Sequence, residues 1–211
     1  MMRFNTAEQQ AWDELISQYK LSDEQAAQLK KYLFFLLEEN KKINLTAITS
    51  IQDAISFHFD DSLKSSTFID FNSITALCDI GTGGGFPGIP LKIMFPHMQV
   101  TLIEVVQKKV HFLREVIEKL SLENTEVCDL DWRTFLRTSM RKIDLFCARA
   151  SLHPEKLIRV FSPSLPYTHA KLIYWASRTW EPSKKVAPYI VDEKEYTVGN
   201  KERRLISLCA K

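Results

Sequence analysis

Apolar residues recur at helical spacing through the first third of the chain. After Ser22 they fall at Ala26, Leu29, Leu33, Leu36 and Leu37, the stripe of an amphipathic helix. Ser22-Asp23-Glu24-Gln25 has the form of a capping box at its start, and Thr6-Ala7-Glu8-Gln9 repeats that form one helix earlier. Ser50-Ile51-Gln52-Asp53 opens a third helix, with Ile55, Phe59 and Leu63 on one face. From Ala76 onward the pattern changes. Ala76 to Ile80 and Gln99 to Glu104 are short apolar runs, and Thr125 to Cys128, Ile143 to Cys147 and Lys171 to Trp175 are further strand candidates. Helical periodicity lies between them, at Val110, Leu113, Val116, Ile117 and Leu120, and near Trp132 to Arg137 and Pro154 to Phe161. Such alternation predicts βαβ units and a parallel sheet. Glu195 to Val198 and Arg203 to Leu208 flank Gly199-Asn200, which predicts a hairpin. The expected fold is therefore α/β and Rossmann-like: a mostly parallel sheet, an antiparallel C-terminal hairpin and added N-terminal helices. The one candidate boundary, Phe68 to Thr75, divides a helical segment 1–67, packed on the main domain, from a domain 68–211.

The strongest chemical signal is Asp79-Ile80-Gly81-Thr82-Gly83-Gly84-Gly85-Phe86-Pro87-Gly88, where five of the chain's six glycines fall together. Glycine lets a backbone adopt positive φ and approach a ligand closely. The loop follows a strand and precedes a helix marked by Pro87, the position where open α/β sheets bind ligands. A dinucleotide fingerprint would place Gly or Ala where Phe86 stands, and the Lys-Ser/Thr of a phosphate loop is absent. S-adenosylmethionine carries no phosphate, and its carboxylate suits a helix N-terminus. Glu104, one βα unit later, can accept hydrogen bonds from ribose hydroxyls. The plainer alternatives are a tight turn without a ligand and a solvated strand end.

These residues carry a family signature. Gly81 to Leu91, with its Phe-Pro-Gly-Ile-Pro, resembles the loop of the GidB/RsmG family, and Asn44-Leu45-Thr46 and His58-Phe59-Asp60-Asp61-Ser62-Leu63 resemble its upstream segments. Lys108-Lys109, Phe112 to Val116, Leu122-Glu123-Asn124 and Arg149-Ala150 fit downstream, so the likeness spans about residues 10 to 210. The resemblance implies a class I methyltransferase that moves a methyl group from S-adenosylmethionine to N7 of a guanine in small-subunit (16S) ribosomal RNA. It also implies cofactor contacts at Gly81, Phe86, Trp132, Arg133 and Arg149; Gly83 and Glu104 join them from the residue reading above. Three features depart from the family. The pair matching Trp132-Arg133 usually ends in an acidic residue. Leu165 to Ala170 lacks the usual glycines before strand five, and Ala176-Ser177 stands where that strand closes on Lys-Gly.

Guanine N7 has a lone pair and no proton, so no general base is expected, and neither a catalytic side chain nor a metal is assigned. His58 and Asp61 share a helical face as a tempting acid–base pair, but bracing the helices against the sheet is the preferred role. His58 stays among the substrate-side candidates, with Lys41, Lys42, Lys108 and Lys109, the basic pairs that flank the signature segments. Further basic groups lie at Arg133 to Lys142, Lys184-Lys185 and Arg203-Arg204, and a charge run by itself is equally a solvated face. Trp132 or Trp175 could stack on a base, though core packing suits Trp175 better.

Charge adds one constraint. The net charge is only +2, so RNA binding must rest on a local basic face. Cys78, Cys128, Cys147 and Cys209 have no zinc-ligand spacing and read as free thiols. With no signal peptide and no apolar run long enough to span a bilayer, the expectation is a cytoplasmic protein, a monomer by default, whose partner is small-subunit rRNA or an assembling small subunit. Two other readings stay open: a methyltransferase of another substrate class, and an RNA-binding relative that has lost turnover.

Overall fold

The computed structural model describes residues 3–210. Helix α1 (Thr6–Tyr19) starts one residue earlier than the Thr6 pattern predicts. Asn5 is the cap: its side chain accepts from Glu8 N, and Glu8 reaches back to the Asn5 N–H. Asparagine outranks threonine as a cap, and only Asn5 stands three residues before Glu8. Helix α2 (Asp23–Ile43) carries the predicted Ser22/Gln25 capping box, and its buried face includes Leu29, Leu33, Leu36 and Leu37. Ser50 caps α3 (Ile51–Ala54) by accepting from Asp53 N.

The third helix is not continuous. Residues Ile55–Asp60 form a π-helical stretch before α4 (Asp61–Leu63). Ile55, Phe59 and Leu63 are still buried. The widened turn lets the Phe57 carbonyl accept from Arg149 Nη1 at 3.0 Å, so the departure from α geometry has a local partner.

Seven strands form one sheet in the order β3-β2-β1-β4-β5-β7-β6. Strands β1 (Ala76–Ile80), β2 (Gln99–Ile103), β3 (Thr125–Cys128), β4 (Leu145–Arg149) and β5 (Lys171–Ser177) are parallel. Strands β6 (Ile190–Val198) and β7 (Lys201–Cys209) make the antiparallel hairpin, longer than predicted, with β7 against β5. The central strands read as unbroken apolar runs because both faces are covered. Along β1, Leu77 faces a core shared with α1 and α2, whereas Cys78 and Ile80 face a second core. Helices α5 (Gly88–Met94) and α6 (Gln107–Lys119) feed the first core; α7 (Trp132–Thr138) and α8 (Pro154–Leu157) feed the second.

Two details position the site. Lys31 Nζ donates to Lys119 O, and Phe35 stacks on Phe112 at 5.3 Å, so α2 and α6 run antiparallel and Lys41-Lys42 approach the start of α6. The glycine-free turn before β5 is held instead by Tyr167, which is fully buried, packs edge-on against Phe146 and donates to Ser139 O at 3.2 Å.

Candidate functional site

The glycine loop is fixed from beneath by Asp79. Its Oδ2 accepts from Thr82 Oγ1 at 2.6 Å and from Gly88 N at 2.8 Å, tying both ends of the loop to one carboxylate. Asp79 is fully buried and its Oδ1 has no partner, so burial pushes its pKa up to about 6. Thr82 N donates to Ile103 O at 3.0 Å, and Tyr32 donates its hydroxyl proton to Gly84 O.

The glycines are not equivalent. A Cβ on Gly85 would lie 2.5 Å from Ile89 Cδ1, and one on Gly88 would lie 2.4 Å from Leu102 Cδ2. Those two make room for the protein itself. Gly83 has φ +61°, and a Cβ there would meet nothing within 4 Å. The space that Gly83 keeps open is a cavity of about 360 Å³ lined also by Gly81, Phe86, Glu104, Lys109 and Arg149, with Thr46 and His58 on the N-terminal side.

Glu104 follows β2 and is buried. Its Oε2 accepts from Gly83 N at 3.1 Å, and its Oε1 accepts from Val105 N and Val106 N, both at 2.9 Å. The carboxylate thus organises two backbone segments. Two donors fill the lone pairs of Oε1, whereas Oε2 accepts one and keeps acceptor capacity for a ligand donor.

The opposite wall is an ionic network. Arg149 Nη1 donates to Asp61 Oδ2 at 3.0 Å as well as to the Phe57 carbonyl. The other Asp61 oxygen accepts from Tyr196 Oη at 2.7 Å, and the Asp61 carbonyl accepts from Trp175 Nε1 at 2.9 Å. Asp61 is therefore a brace, and Trp175 packs in the core. The His58 ring lies flat on Phe86, 4.4 Å between centroids. Its Nε2 sits 2.9 Å from Thr46 Oγ1 and its Nδ1 3.4 Å from Arg149 Nη2. Burial first, and the Arg149 charge second, push its pKa down to about 3, so His58 is neutral.

Beyond His58 and Arg149 lies a second cavity of about 390 Å³, which shares those residues and Ala150 with the first. Its own walls include Phe57, Tyr174 and Trp180.

Of the sequence-predicted residues, Gly81, Gly83, Phe86, Glu104, Arg149 and His58 come together around the first cavity. Lys109 joins them there, although the sequence groups it with RNA-facing lysines; Lys108 is exposed. Trp132 and Arg133 do not line the cavity. Asp131 caps α7 by accepting from Arg133 N at 3.0 Å, which turns Trp132 into the second core and leaves Arg133 in solvent. Lys41 and Lys42 are exposed, and Lys42 pairs with Glu39 at 2.6 Å. Sequence reasoning did not single out Thr46 or Tyr196 as site residues, because their partners lie 12 and 135 positions away along the chain. Among the described residues there is no group of three or more His, Cys, Asp or Glu side chains placed to hold a metal, and no helix is long and apolar enough to cross a membrane.

A Rossmann-like sheet of this order, with a glycine loop after β1 and an acidic residue after β2, defines the class I methyltransferase fold. A crystal structure of a Klebsiella pneumoniae protein provisionally assigned as an O-methyltransferase superposes with a TM-score of 0.62 at 15% identity, covering 97% of this chain and 100% of that one. A family profile described as GidB, rRNA small subunit methyltransferase G, matches residues 25–187, and the chain belongs to that family. It is similar to the ribosomal RNA small subunit methyltransferases G of Bacillus pumilus and Bacillus subtilis, 43% and 42% identical over 132 residues, which is 62% of this chain. The matched region spans 55% of each relative, so the chain covers about half the length of the curated relatives it matches.

Proposed function

We propose that this protein transfers a methyl group from S-adenosylmethionine to N7 of a guanine in small-subunit (16S) ribosomal RNA, in the cytoplasm. The observation that carries this reading is the cradle at Gly83: an open cavity beside a buried carboxylate, one residue layer away from a second cavity. The residues present fit the cofactor. Gly83 admits its close approach, Gly81 lines the same cavity, Glu104 Oε2 offers an acceptor for a hydroxyl, and Phe86 gives an apolar wall.

Bound S-adenosylmethionine supplies an electrophilic methyl group. This chain's part is to hold the two reactants in line and keep water out, which can account for several kcal/mol of the barrier. Neutral His58 and the internally paired Arg149 stand between the cavities without presenting a free charge. The segment 1–67 supplies Thr46 and His58, and 68–211 supplies the loop, Glu104 and Arg149; we read the first as an appendage that closes the cleft of the second. Lys41, Lys42 and Lys108 are proposed contacts for RNA phosphates, and the protein is proposed to act as a monomer on naked rRNA or an assembling subunit.

The test is mass spectrometry of rRNA nucleosides from cells with and without this gene. Loss of one 7-methylguanosine supports the reading, and an unchanged nucleoside profile overturns it. A second reading is an RNA-binding relative without turnover: Arg133 stands where the family usually has an acidic residue, and its guanidinium, which lies in solvent outside the cavity, cannot accept hydrogen bonds from a ligand. Calorimetric titration with S-adenosylmethionine decides it: a folded protein that binds none favours that reading. A methyltransferase of another substrate class would instead bind the cofactor and methylate a metabolite or protein pool in preference to rRNA.

A further inference from the structure

The second cavity has a chemical character of its own. It lies at the carboxyl ends of β4 and β5, on the sheet edge that also carries the glycine loop, and it meets the first cavity at His58, Arg149 and Ala150. We infer that it receives the acceptor nucleotide extruded from its RNA loop, with Tyr174 and Trp180 against the base and Lys201 and Arg203 against the adjoining phosphate. This rests on the reading of the chain as an rRNA methyltransferase.

Two observations single out these residues. The first concerns the aromatics. Trp175 is buried and spends its Nε1 hydrogen on the Asp61 carbonyl, so it is structural. Phe57, Tyr174 and Trp180 are only partly buried, and all three line the cavity. Tyr174 and Trp180 pack on one another at 5.7 Å, and the Arg204 guanidinium covers Trp180 at 5.9 Å, so the indole is held in place without being enclosed. Fixed, accessible rings at a cleft are how proteins grip unstacked bases of single-stranded RNA.

The second concerns the cations on and beside the hairpin. Arg178 pairs with Glu202, Arg204 with Glu193 and Lys194 with Asp192. Lys201 and Arg203 make no ion pair with any described residue, and these two line the cavity. Arg203 Nε is buried without an acceptor, and Lys201 Nζ rests 4.2 Å over the Phe57 ring. The hairpin tip is anchored there: a Cβ on Gly199 would lie 3.0 Å from Phe57. Two positive side chains without carboxylates, at the mouth of an aromatic cavity, suit a nucleotide phosphate. The volume of about 390 Å³ lies within the ~300–1,000 Å³ range of small-molecule sites.

The experiment uses the full chain and 16S rRNA from cells lacking this gene. Trp180→Ala should raise the KM for rRNA about tenfold or more, the usual consequence of losing one base-stacking ring. Trp180→Phe should restore most of it, and Kd for S-adenosylmethionine should stay within about twofold in both. Lys201→Glu, at an exposed position and checked for folding by a thermal melt, should raise that KM and lower the log–log salt slope of rRNA binding by about one unit. An unchanged KM in Lys201→Glu and in folded Trp180→Ala overturns the inference. So does a parallel loss of cofactor affinity, which would make the cavity part of the cofactor site. A wild-type protein that methylates no rRNA overturns the functional reading itself, whereas an active wild type with indifferent variants overturns only this assignment.

Discussion

Replacing Gly83 by alanine separates ligand space from folding. The backbone there has φ +61°, and the added methyl group meets no protein atom within 4 Å. The cost to the fold is that of an L-residue in the left-handed region, about 1–2 kcal/mol, partly offset by the smaller entropy of the unfolded chain. For a chain of this size the melting temperature should fall by only a few degrees, at about 2–4 °C per kcal/mol. The methyl group does enter the cavity beside Glu104, whose Oε2 accepts from Gly83 N. Forcing one methylene-sized group into a fitted site costs about 1–3 kcal/mol, so affinity for S-adenosylmethionine should drop roughly tenfold to hundredfold. Gly88→Ala is the contrast. Its methyl would lie 2.4 Å from Leu102 and 2.9 Å from Asp79, inside the protein, so this variant should lose the fold and the ligand together. The assay is isothermal calorimetry with a thermal melt of each variant. A folded Gly83→Ala that binds with wild-type affinity refutes the assignment of this loop.

Glu104→Ala removes the acceptor of three backbone N–H groups and should weaken cofactor binding by about 1–3 kcal/mol while also lowering the melting temperature; calorimetry and a melt read both. His58→Gln should change the pH dependence of stability. The folded pKa of His58, about 3, lies below its unfolded value of about 6.5, so its contribution is full above 6.5 and is lost as pH falls from 6.5 towards 3, at up to about 1.4 kcal/mol per pH unit. Asp79, raised to about 6, acts in the opposite sense between about pH 4 and 6, where its contribution falls as pH rises. The quantity to follow by urea unfolding is therefore the wild-type minus variant difference, which should shrink on acidification. Lys108→Glu should weaken rRNA binding and spare cofactor affinity, whereas Lys109→Glu should disturb both, because only Lys109 lines the cavity; filter binding at several salt concentrations and calorimetry tell them apart.

The order of strands and helices was legible because each element writes its own period into the chain. Thr125–Cys128 was placed to the residue, and the Gly199-Asn200 turn marked the hairpin. The ends of strands were less legible: β4 runs from Leu145 to Arg149, two residues later than its apolar run suggests, because pairing with β5 continues to Arg149 opposite Trp175. The π-helical stretch was invisible, since its stripe of Ile55, Phe59 and Leu63 also fits an ordinary helix. In the site, the glycine loop and Glu104 could be read because composition and register act locally. Composition marked every glycine alike, yet only packing tells Gly83, open to the cavity, from Gly85 and Gly88, closed by side chains. That Lys109 lines the cavity while Lys108 is exposed was not legible, because a lysine pair at a helix start carries no sign of which member turns inward.

The wall between the two cavities shows how a buried charge can sit there without dominating it. Arg149 brings a guanidinium to the end of β4, 5.4 Å from the Phe86 ring. Under the proposed reading, an unpaired guanidinium there would repel the cofactor's sulfonium on one side and disfavour a base that gains positive charge on the other. Asp61 cancels it at 3.0 Å, and Asp61 is itself held by Tyr196 of β6 and by Trp175 of β5. The second basic group, His58, is kept uncharged by burial and by Arg149. In the proposed reaction a positive charge would pass from one cavity to the other, so a wall with strong charge of either sign would favour one end of the path over the other. A paired arginine and a neutral imidazole favour neither, and their hydrogen bonds fix the distance between the cavities. The same contacts tie residues 57–61 to three strands, so the geometry of the wall is set by the packing that joins the N-terminal helices to the sheet.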